Sequence, residues 1–173
     1  MARPKTLPDS EVFAVILQRI AAEGEKSVAF SAISRATGLA GASLVQRYGS
    51  LAKMVAAALD WGWDELDRMA AAAQNGTDTA EHAGAKGAQA LLKALSEMVA
   101  GLPMAALLAA SLRHAHLRGR AAAWKERVEA MIAHHLRERD AAAMVFAAWQ
   151  GQVMWEHLEN KGFRLKDLVK RLG

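Results

Sequence analysis

The chain has 173 residues, enough for one large domain or for a small domain joined to a medium one, and its 53% hydrophobic content can bury a sizeable core. The absence of cysteine excludes a disulfide framework and thiolate metal sites, and no apolar run has the length of a signal peptide or membrane span. Residues 1–53 hold seven Lys and Arg against four Asp and Glu within a net charge of +4, which suits contact with nucleic acid. We therefore expect a soluble, cytoplasmic protein that does not contact a membrane.

The amino-terminal part has the hydrophobic spacing of three short helices. Apolar residues recur four apart over 12–20, which predicts a first helix that begins near Asp9 or Ser10, either of which can cap it. A second helix fits residues 31–37, and a third fits about 42–48, where Leu44, Val45 and Tyr48 have spacings that can share one inward face. Gly38 lies between them, where a helix-turn-helix requires a tight turn, because glycine adopts the left-handed backbone conformation without strain.

The remaining chain is rich in alanine and leucine and lacks strand-like alternation, so we predict an all-α fold. A long fourth helix over about 51–73, which Ser50 can cap, is expected to end at Asn75-Gly76. Five further helices are predicted: one ending near Gly101, one beginning at Pro103, one following Arg118-Gly119, one over about 141–160 and a short one over 165–172.

The eighth of these helices is apolar around nearly its whole circumference, so it must be covered on more than one side. In a chain of this size a second copy of the protein can supply the other surface. The small residues Ala148 and Gly151 also permit close helix approach. We therefore predict a homodimer, with an interface that includes Phe146, Trp149, Val153 and Trp155.

Three short helices with a glycine turn, followed by a long helix and a larger helical body, resemble the tetracycline-repressor-like (TetR) family. The resemblance implies a helix-turn-helix DNA-binding domain over residues 1–53, joined by a long helix to a helical-bundle domain over 54–173 that binds a small molecule and dimerises. WQG at 149–151 is also similar to members of the family. The positions that fall in step with the family's amino-terminal pattern are Ile33, Gly38, Leu39, Leu44, Tyr48 and Ser50.

The chain departs from that pattern where the family contacts the DNA backbone. Val45 stands where the family usually has a tyrosine, and Leu51 where it usually has a lysine; in the family both side chains touch phosphates. Ala40 and Gly41 also stand where Ser and Lys are common. The resemblance therefore implies DNA binding with fewer backbone contacts than usual.

In a helix-turn-helix the second helix enters the major groove, with its first residues nearest the base edges. Ser43 can donate or accept a hydrogen bond, Gln46 can pair with adenine, and the Ala42 methyl group can meet a thymine methyl group. Arg47, the Tyr48 hydroxyl and Ser31 are the groups that could reach phosphates. The candidate DNA-binding residues are Ser31, Gly41, Ala42, Ser43, Gln46, Arg47, Tyr48 and Lys53.

Several of these residues also have a purely structural interpretation. Ser31 is well placed to cap the second helix, and Tyr48 falls where an aromatic side chain packs the small domain. Gln46 and Arg47 are equally compatible with ordinary solvated positions on a helix.

By resemblance the carboxy-terminal domain binds a small molecule, in a pocket of apolar side chains with a few polar anchors. Trp and Met at helical spacing are also common core residues, so that alternative stays open. The sequence has no metal-ligand motif, nucleophile elbow or phosphate loop, and we expect no metal, cofactor or catalytic activity. The candidate pocket residues are Trp61, Met98, Met104, Leu108, Ser111, Trp124, Met131 and Gln152.

Together these features predict a homodimeric transcriptional repressor that binds a double-stranded, pseudo-palindromic DNA operator and is released by a small apolar effector. One alternative is a helical dimer of the same fold that acts through protein–protein contacts with little DNA binding. The missing phosphate-contacting side chains at Val45 and Leu51 keep that alternative open. A third interpretation is a small-molecule carrier or enzyme that uses the body alone.

Overall fold

The structure, a computed structural model, describes residues 7–77, 84–155 and 164–172. Within those ranges the chain forms α-helices and one short 3₁₀ helix and contains no strand, so the predicted all-α fold is confirmed. In the same ranges no single helix is long and apolar enough to cross a membrane, and the helices Gly84–Val99 and Met104–Arg113 reach that length and composition only as a pair across the break between them. The elements are α1 (Asp9–Glu23), η1 (Glu25–Ser27), α2 (Phe30–Thr37), α3 (Gly41–Tyr48), α4 (Leu51–Thr77), α5 (Gly84–Val99), α6 (Met104–Arg113), α7 (Ala115–Leu136), α8 (Arg139–Trp155) and α9 (Leu165–Leu172).

The chain divides into two compact units. Unit 1 comprises Met1–Glu65 and Leu102–Arg118, and unit 2 comprises Leu66–Gly101 and Gly119–Gly173. Residues 102–118 thus belong with the amino-terminal helices, a grouping that the sequence did not indicate. A compact unit is not the same thing as a functional domain, so the expected boundary between residues 53 and 54 stays a prediction.

Unit 1 is built around the apolar face of α1. The predicted stripe is buried, with Val12 and Ile16 fully inaccessible and Ile20 5% exposed. At Gly62 of α4, a Cβ atom would lie 2.7 Å from a Leu107 methyl carbon of α6 and 3.0 Å from a Leu17 methyl carbon of α1. Only glycine therefore lets these three helices approach so closely without displacing side chains.

The turn between α2 and α3 has the geometry that the sequence predicted. Gly38 is left-handed at φ 73°, and its N–H donates to the Ser34 carbonyl, which ends α2. The Thr37 hydroxyl donates to the Ile33 carbonyl at 2.7 Å and accepts from the Leu39 N–H at 3.3 Å. Leu39 is 6% exposed, so an apolar side chain anchors the turn to the core of unit 1.

Unit 2 has an aromatic core. Trp124, Phe146 and Trp149 pack with ring centroids 5.8–6.2 Å apart. The Trp149 indole N–H donates to the Ser96 hydroxyl at 2.8 Å, and the Trp124 indole N–H donates to the Leu66 carbonyl at 3.1 Å. Each polar edge of the two indoles is thereby satisfied inside the unit.

This core corrects part of the predicted dimer interface. Phe146 and Trp149 are each 1% exposed within the chain itself, so they have no surface to offer a second copy. The prediction was wrong because a helix that is apolar all round does not reveal which of its sides its own chain covers. The predicted end of this helix beyond Trp155 lies outside the described residues.

Two predicted helix boundaries were also wrong. α4 continues through Asn75-Gly76 to Thr77, and α7 begins at Ala115 and runs through Gly119. A glycine in a helix interior costs only about 1 kcal/mol, which tertiary contacts readily outweigh. At the end of α4, Thr77 is buried and its hydroxyl donates to the Ala73 carbonyl at 2.9 Å.

Candidate nucleic-acid interface

The exposed side of α3 carries small and polar side chains. Leu44 is fully buried and fixes the rotation of the helix, which leaves Ala42, Ser43 and Gln46 exposed. Gly41 is half-buried, and a Cβ atom there would meet nothing within 4 Å. The first turn of α3 can therefore come close to a partner without a side chain in the way.

The start of α2 differs from the prediction. The helix begins at Phe30 with Ala29 as its cap residue, and no side chain caps it. The Ile33 N–H donates to the Ala29 carbonyl at 3.0 Å, which places Ser31 inside the first turn instead of before it. Ser31 is consequently not a cap; its hydroxyl-bearing side chain is exposed, and its phosphate contact remains a prediction.

At the start of α4 the predicted cap is present. The Lys53 N–H donates to the Ser50 hydroxyl oxygen at 3.2 Å, so Ser50 satisfies one of the free amides of the first turn. The Lys53 side chain is exposed, and its role in DNA binding also remains a prediction.

Arg47 and Tyr48 form a network with the start of α1. Arg47 Nη1 donates to Asp9 Oδ1 at 3.2 Å and to the Leu7 carbonyl at 2.9 Å. The Tyr48 hydroxyl donates to the same Asp9 oxygen at 2.6 Å. Burial raises the pKa of Tyr48, and so does the hydrogen bond to Asp9, which keeps the phenol protonated as a donor.

Asp9 is a residue of this surface that sequence reasoning missed. The pattern of α1 marked it only as a capping residue, whereas Pro8 holds the cap position and caps through no side chain. Asp9 lies 38 residues from Arg47 in the chain, and no local spacing connects the two.

The two positions that depart from the family's pattern lie on the surface. Val45 is 45% exposed, although it was expected to share an inward face with Leu44 and Tyr48. Adjacent residues of a helix point about 100° apart, and the rotation of α3 that buries Leu44 turns Val45 towards the surface. Leu51 is 36% exposed at the first residue of α4. Neither apolar side chain is needed to fill the core.

Solved structures have a similar fold over almost the whole length of this chain. The multidrug binding protein EbrR, in complex with imidazole, matches with a TM-score of 0.64 at 19% sequence identity, covering 97% of this chain and 96% of that one. The proposed transcriptional regulator SCO7518 from Streptomyces coelicolor A3(2) matches with a TM-score of 0.63 at 14% identity, covering 95% and 96%. The chain has the TetR-like fold. No protein-family model matches the sequence, and no curated protein does.

The candidate ligand residues of this TetR-like fold fall in both units. Trp61, Met104, Leu108 and Ser111 belong to unit 1, and Met98, Trp124, Met131 and Gln152 belong to unit 2. Some of them have structural roles. The Ser111 hydroxyl donates to the Leu107 carbonyl at 2.9 Å, and Trp124 belongs to the aromatic core. Met98 is 37% exposed. Their part in a ligand pocket remains a prediction.

Each unit has an open groove of its own. In unit 2 a groove of about 580 Å³ between α4 and α7 is lined by Met131 together with Asp67, Gln74 and His134. The Asp67 carboxylate there pairs with Arg127 and with Arg120. In unit 1 a groove of about 270 Å³ is lined in part by the side chain of Leu51.

The histidines of unit 1 pair with carboxylates. Glu25 accepts from Arg113 Nη2 at 2.9 Å and lies 3.3 Å from His114 Nε2. Desolvation alone would raise the pKa of Glu25, but the hydrogen bonds from Arg113 and His114 outweigh it and lower that pKa. Within the described ranges no group of three or more His, Asp or Glu side chains comes close enough to hold a metal ion.

The exposed face of α8 is apolar. Met144 is 51% exposed and Trp155 57% exposed, and the small residues Ala148 and Gly151 lie between them at helical spacing. A Cβ atom at Gly151 would meet nothing within 4 Å. Val153 of the predicted interface is half-buried and lies on another side of the helix.

Proposed function

We propose that this protein is a homodimeric, sequence-specific DNA-binding transcriptional regulator, acting as a repressor that a small apolar ligand releases. The observation that carries the proposal is the helix-turn-helix geometry of α2 and α3. Leu39 and Leu44 anchor the two helices in the core of unit 1, while Ala42, Ser43 and Gln46 are exposed on the outer side of α3. Rigid anchoring with a small, polar outer side is what insertion into a major groove requires.

The fold neighbours support both halves of this proposal. One is named for binding multiple drugs and the other for transcriptional regulation. A ligand that binds one conformation of the dimer more tightly shifts the population away from the DNA-binding state. We place the effector in the helical body, with the candidate pocket residues of the sequence analysis as its contacts.

Selection from sheared genomic DNA tests the proposed function. The full-length protein is incubated with the fragments, and bound DNA is recovered and sequenced. We expect one short motif with two-fold symmetry, because a symmetric dimer presents two identical copies of α3. Recovery of fragments with no shared motif by a folded dimer would contradict the proposal.

That outcome would favour a second function, a dimer of the same fold that acts on another protein. The observation in its favour is the apolar, exposed pair Val45 and Leu51 at the places where a DNA-binding relative would present polar groups. Exposed apolar side chains fit a protein partner better than a phosphate backbone.

Gln46→Ala is expected to relax sequence preference at one base pair of each half-site. A glutamine side chain can donate to and accept from an adenine edge at once, and its loss removes about 1–3 kcal/mol of discrimination there. Affinities for the selected duplex and for single-base variants measure this. Gln18→Ala, an exposed glutamine on α1, is the control and should leave every preference unchanged. A uniform loss of affinity across all duplexes would contradict base reading by Gln46.

Met144→Ala combined with Trp155→Ala is expected to weaken the dimer at least about tenfold, since exposed large apolar side chains at an interface centre dominate binding energy. Sedimentation over a range of protein concentrations measures the dissociation constant. Leu112→Ala is the control, because Leu112 is 78% exposed but lies on α6 in unit 1. An unchanged dimer in the double variant would place the interface elsewhere.

A further inference from the structure

We propose that Asp9 is a positioning residue that holds Arg47 and Tyr48 away from the DNA backbone, so that it lowers the affinity of the α3 surface for DNA of every sequence. The inference rests on the proposed function and concerns the strength of the same interface. It assigns a role to a side chain that touches neither bases nor phosphates itself.

Arg47 and Tyr48 share one hydrogen-bond acceptor, a carboxylate oxygen of Asp9. One oxygen of Asp9 accepts from Arg47 at 3.2 Å and from Tyr48 at 2.6 Å, and the Leu7 carbonyl takes a further bond from Arg47 at 2.9 Å. The ring of Phe13 packs against Tyr48 at a centroid distance of 5.8 Å, which fixes the phenol from the side. Both candidate phosphate donors of α3 are therefore directed towards the start of α1.

The ion pair between Asp9 and Arg47 affects DNA binding strongly because α3 carries so little positive charge. Arg47 is the one charged residue in the sequence of α3, and the Asp9 carboxylate neutralises it. The usual phosphate-contacting groups are absent at Val45 and Leu51. An interface with so few cations loses a large share of its sequence-independent attraction when one of them is paired internally.

The ion pair between Asp9 and Arg47 is weak enough for a DNA phosphate to replace Asp9 as the partner of Arg47. The Asp9 and Arg47 side chains are 56% and 31% exposed, and solvent-exposed ion pairs contribute little to stability. When Asp9 loses its charge, Arg47 is free to donate to a phosphate, and a negative group that repels the backbone is removed as well. An asparagine at this position keeps an oxygen that can accept from Tyr48, so the local fold is preserved.

Asp9→Asn tests the inference, with Glu11→Gln as its matched control. Glu11 lies in the same first turn of α1, is exposed, and loses the same charge. Binding to a random-sequence duplex and to the selected duplex is measured over a range of salt concentrations. We expect Asp9→Asn to bind both duplexes about three- to tenfold more tightly, with log–log salt slopes steeper by about 0.9 for each added phosphate contact.

The double variant Asp9→Asn with Arg47→Gln should lose this gain, because the released cation is then missing. Equal tightening by Glu11→Gln would reduce the effect to net charge and overturn the inference. Weaker binding by Asp9→Asn would overturn it too, since Asp9 would then be presenting Arg47 to the DNA. If the wild type binds DNA and Asp9→Asn does not change it, this inference alone fails; if neither binds any duplex, the proposed function fails with it.

Discussion

Val45→Tyr combined with Leu51→Lys is expected to tighten binding to DNA of any sequence by about ten- to a hundredfold at moderate salt, because it adds up to two phosphate contacts to each copy of α3 and α4. Val45 and Leu51 are 45% and 36% exposed, so larger polar side chains fit at both positions without disturbing the core. The fold already presents these positions at the surface, and only the chemistry of the side chains is missing.

The control for this double variant is Gln18→Lys, which adds the same positive charge at an exposed position on α1. Affinity for a random duplex at several salt concentrations distinguishes a placed contact from a change in net charge. The double variant should show the steeper salt dependence. A gain no larger than that of Gln18→Lys would mean that this face of unit 1 does not lie against the DNA backbone.

Trp149→Ala is expected to lower the free energy of unfolding by about 3–5 kcal/mol, the range for truncating a fully buried aromatic side chain. Trp149 is 1% exposed and packs against both Trp124 and Phe146. Its removal leaves a cavity, and the Ser96 hydroxyl loses the hydrogen bond that it accepts from the indole N–H. A loss of this size is a large fraction of the stability of a typical domain.

Two further variants divide that loss into its causes. Ser96→Ala keeps the aromatic packing but removes the acceptor of the Trp149 indole N–H, together with the hydroxyl's own hydrogen bond to the Leu92 carbonyl. It leaves that buried N–H without its partner and should cost about 1–3 kcal/mol. Leu112→Ala removes an apolar side chain that is 78% exposed and should change stability by no more than about 0.5 kcal/mol. Denaturant unfolding of all variants at one fixed protein concentration provides the comparison, because the stability of the proposed dimer would depend on concentration. A Trp149→Ala variant as stable as Leu112→Ala would contradict the packing of unit 2.

The helix-turn-helix could be predicted from sequence because its determinants are local. The four-residue spacing of α1 predicted the buried face, and Gly38 predicted the left-handed turn that the structure contains. Ser50 was also correctly predicted as the cap of α4. In each case the residues that decide the conformation lie within about one helical turn of one another.

The surface network and the coverage of α8 could not be predicted in this way. Asp9 meets Arg47 only because α1 and α3 fold together, and the capping pattern suggested a different role for it. The burial of Phe146 and Trp149 depends on Trp124, which comes from α7. The spacing of apolar residues in the sequence indicates which helix faces are apolar, whereas tertiary packing decides which element covers each face.

The proposed reading of DNA sequence by α3 is tested most directly by titrating the wild-type protein against two duplexes at two salt concentrations. One is the selected duplex, and the other is a scrambled duplex of equal length and composition. We predict a preference for the selected duplex of at least about 10³-fold, the lower end for specific recognition, with both affinities falling steeply as salt rises. A folded protein that binds the two duplexes equally, or binds neither, would contradict sequence reading by α3.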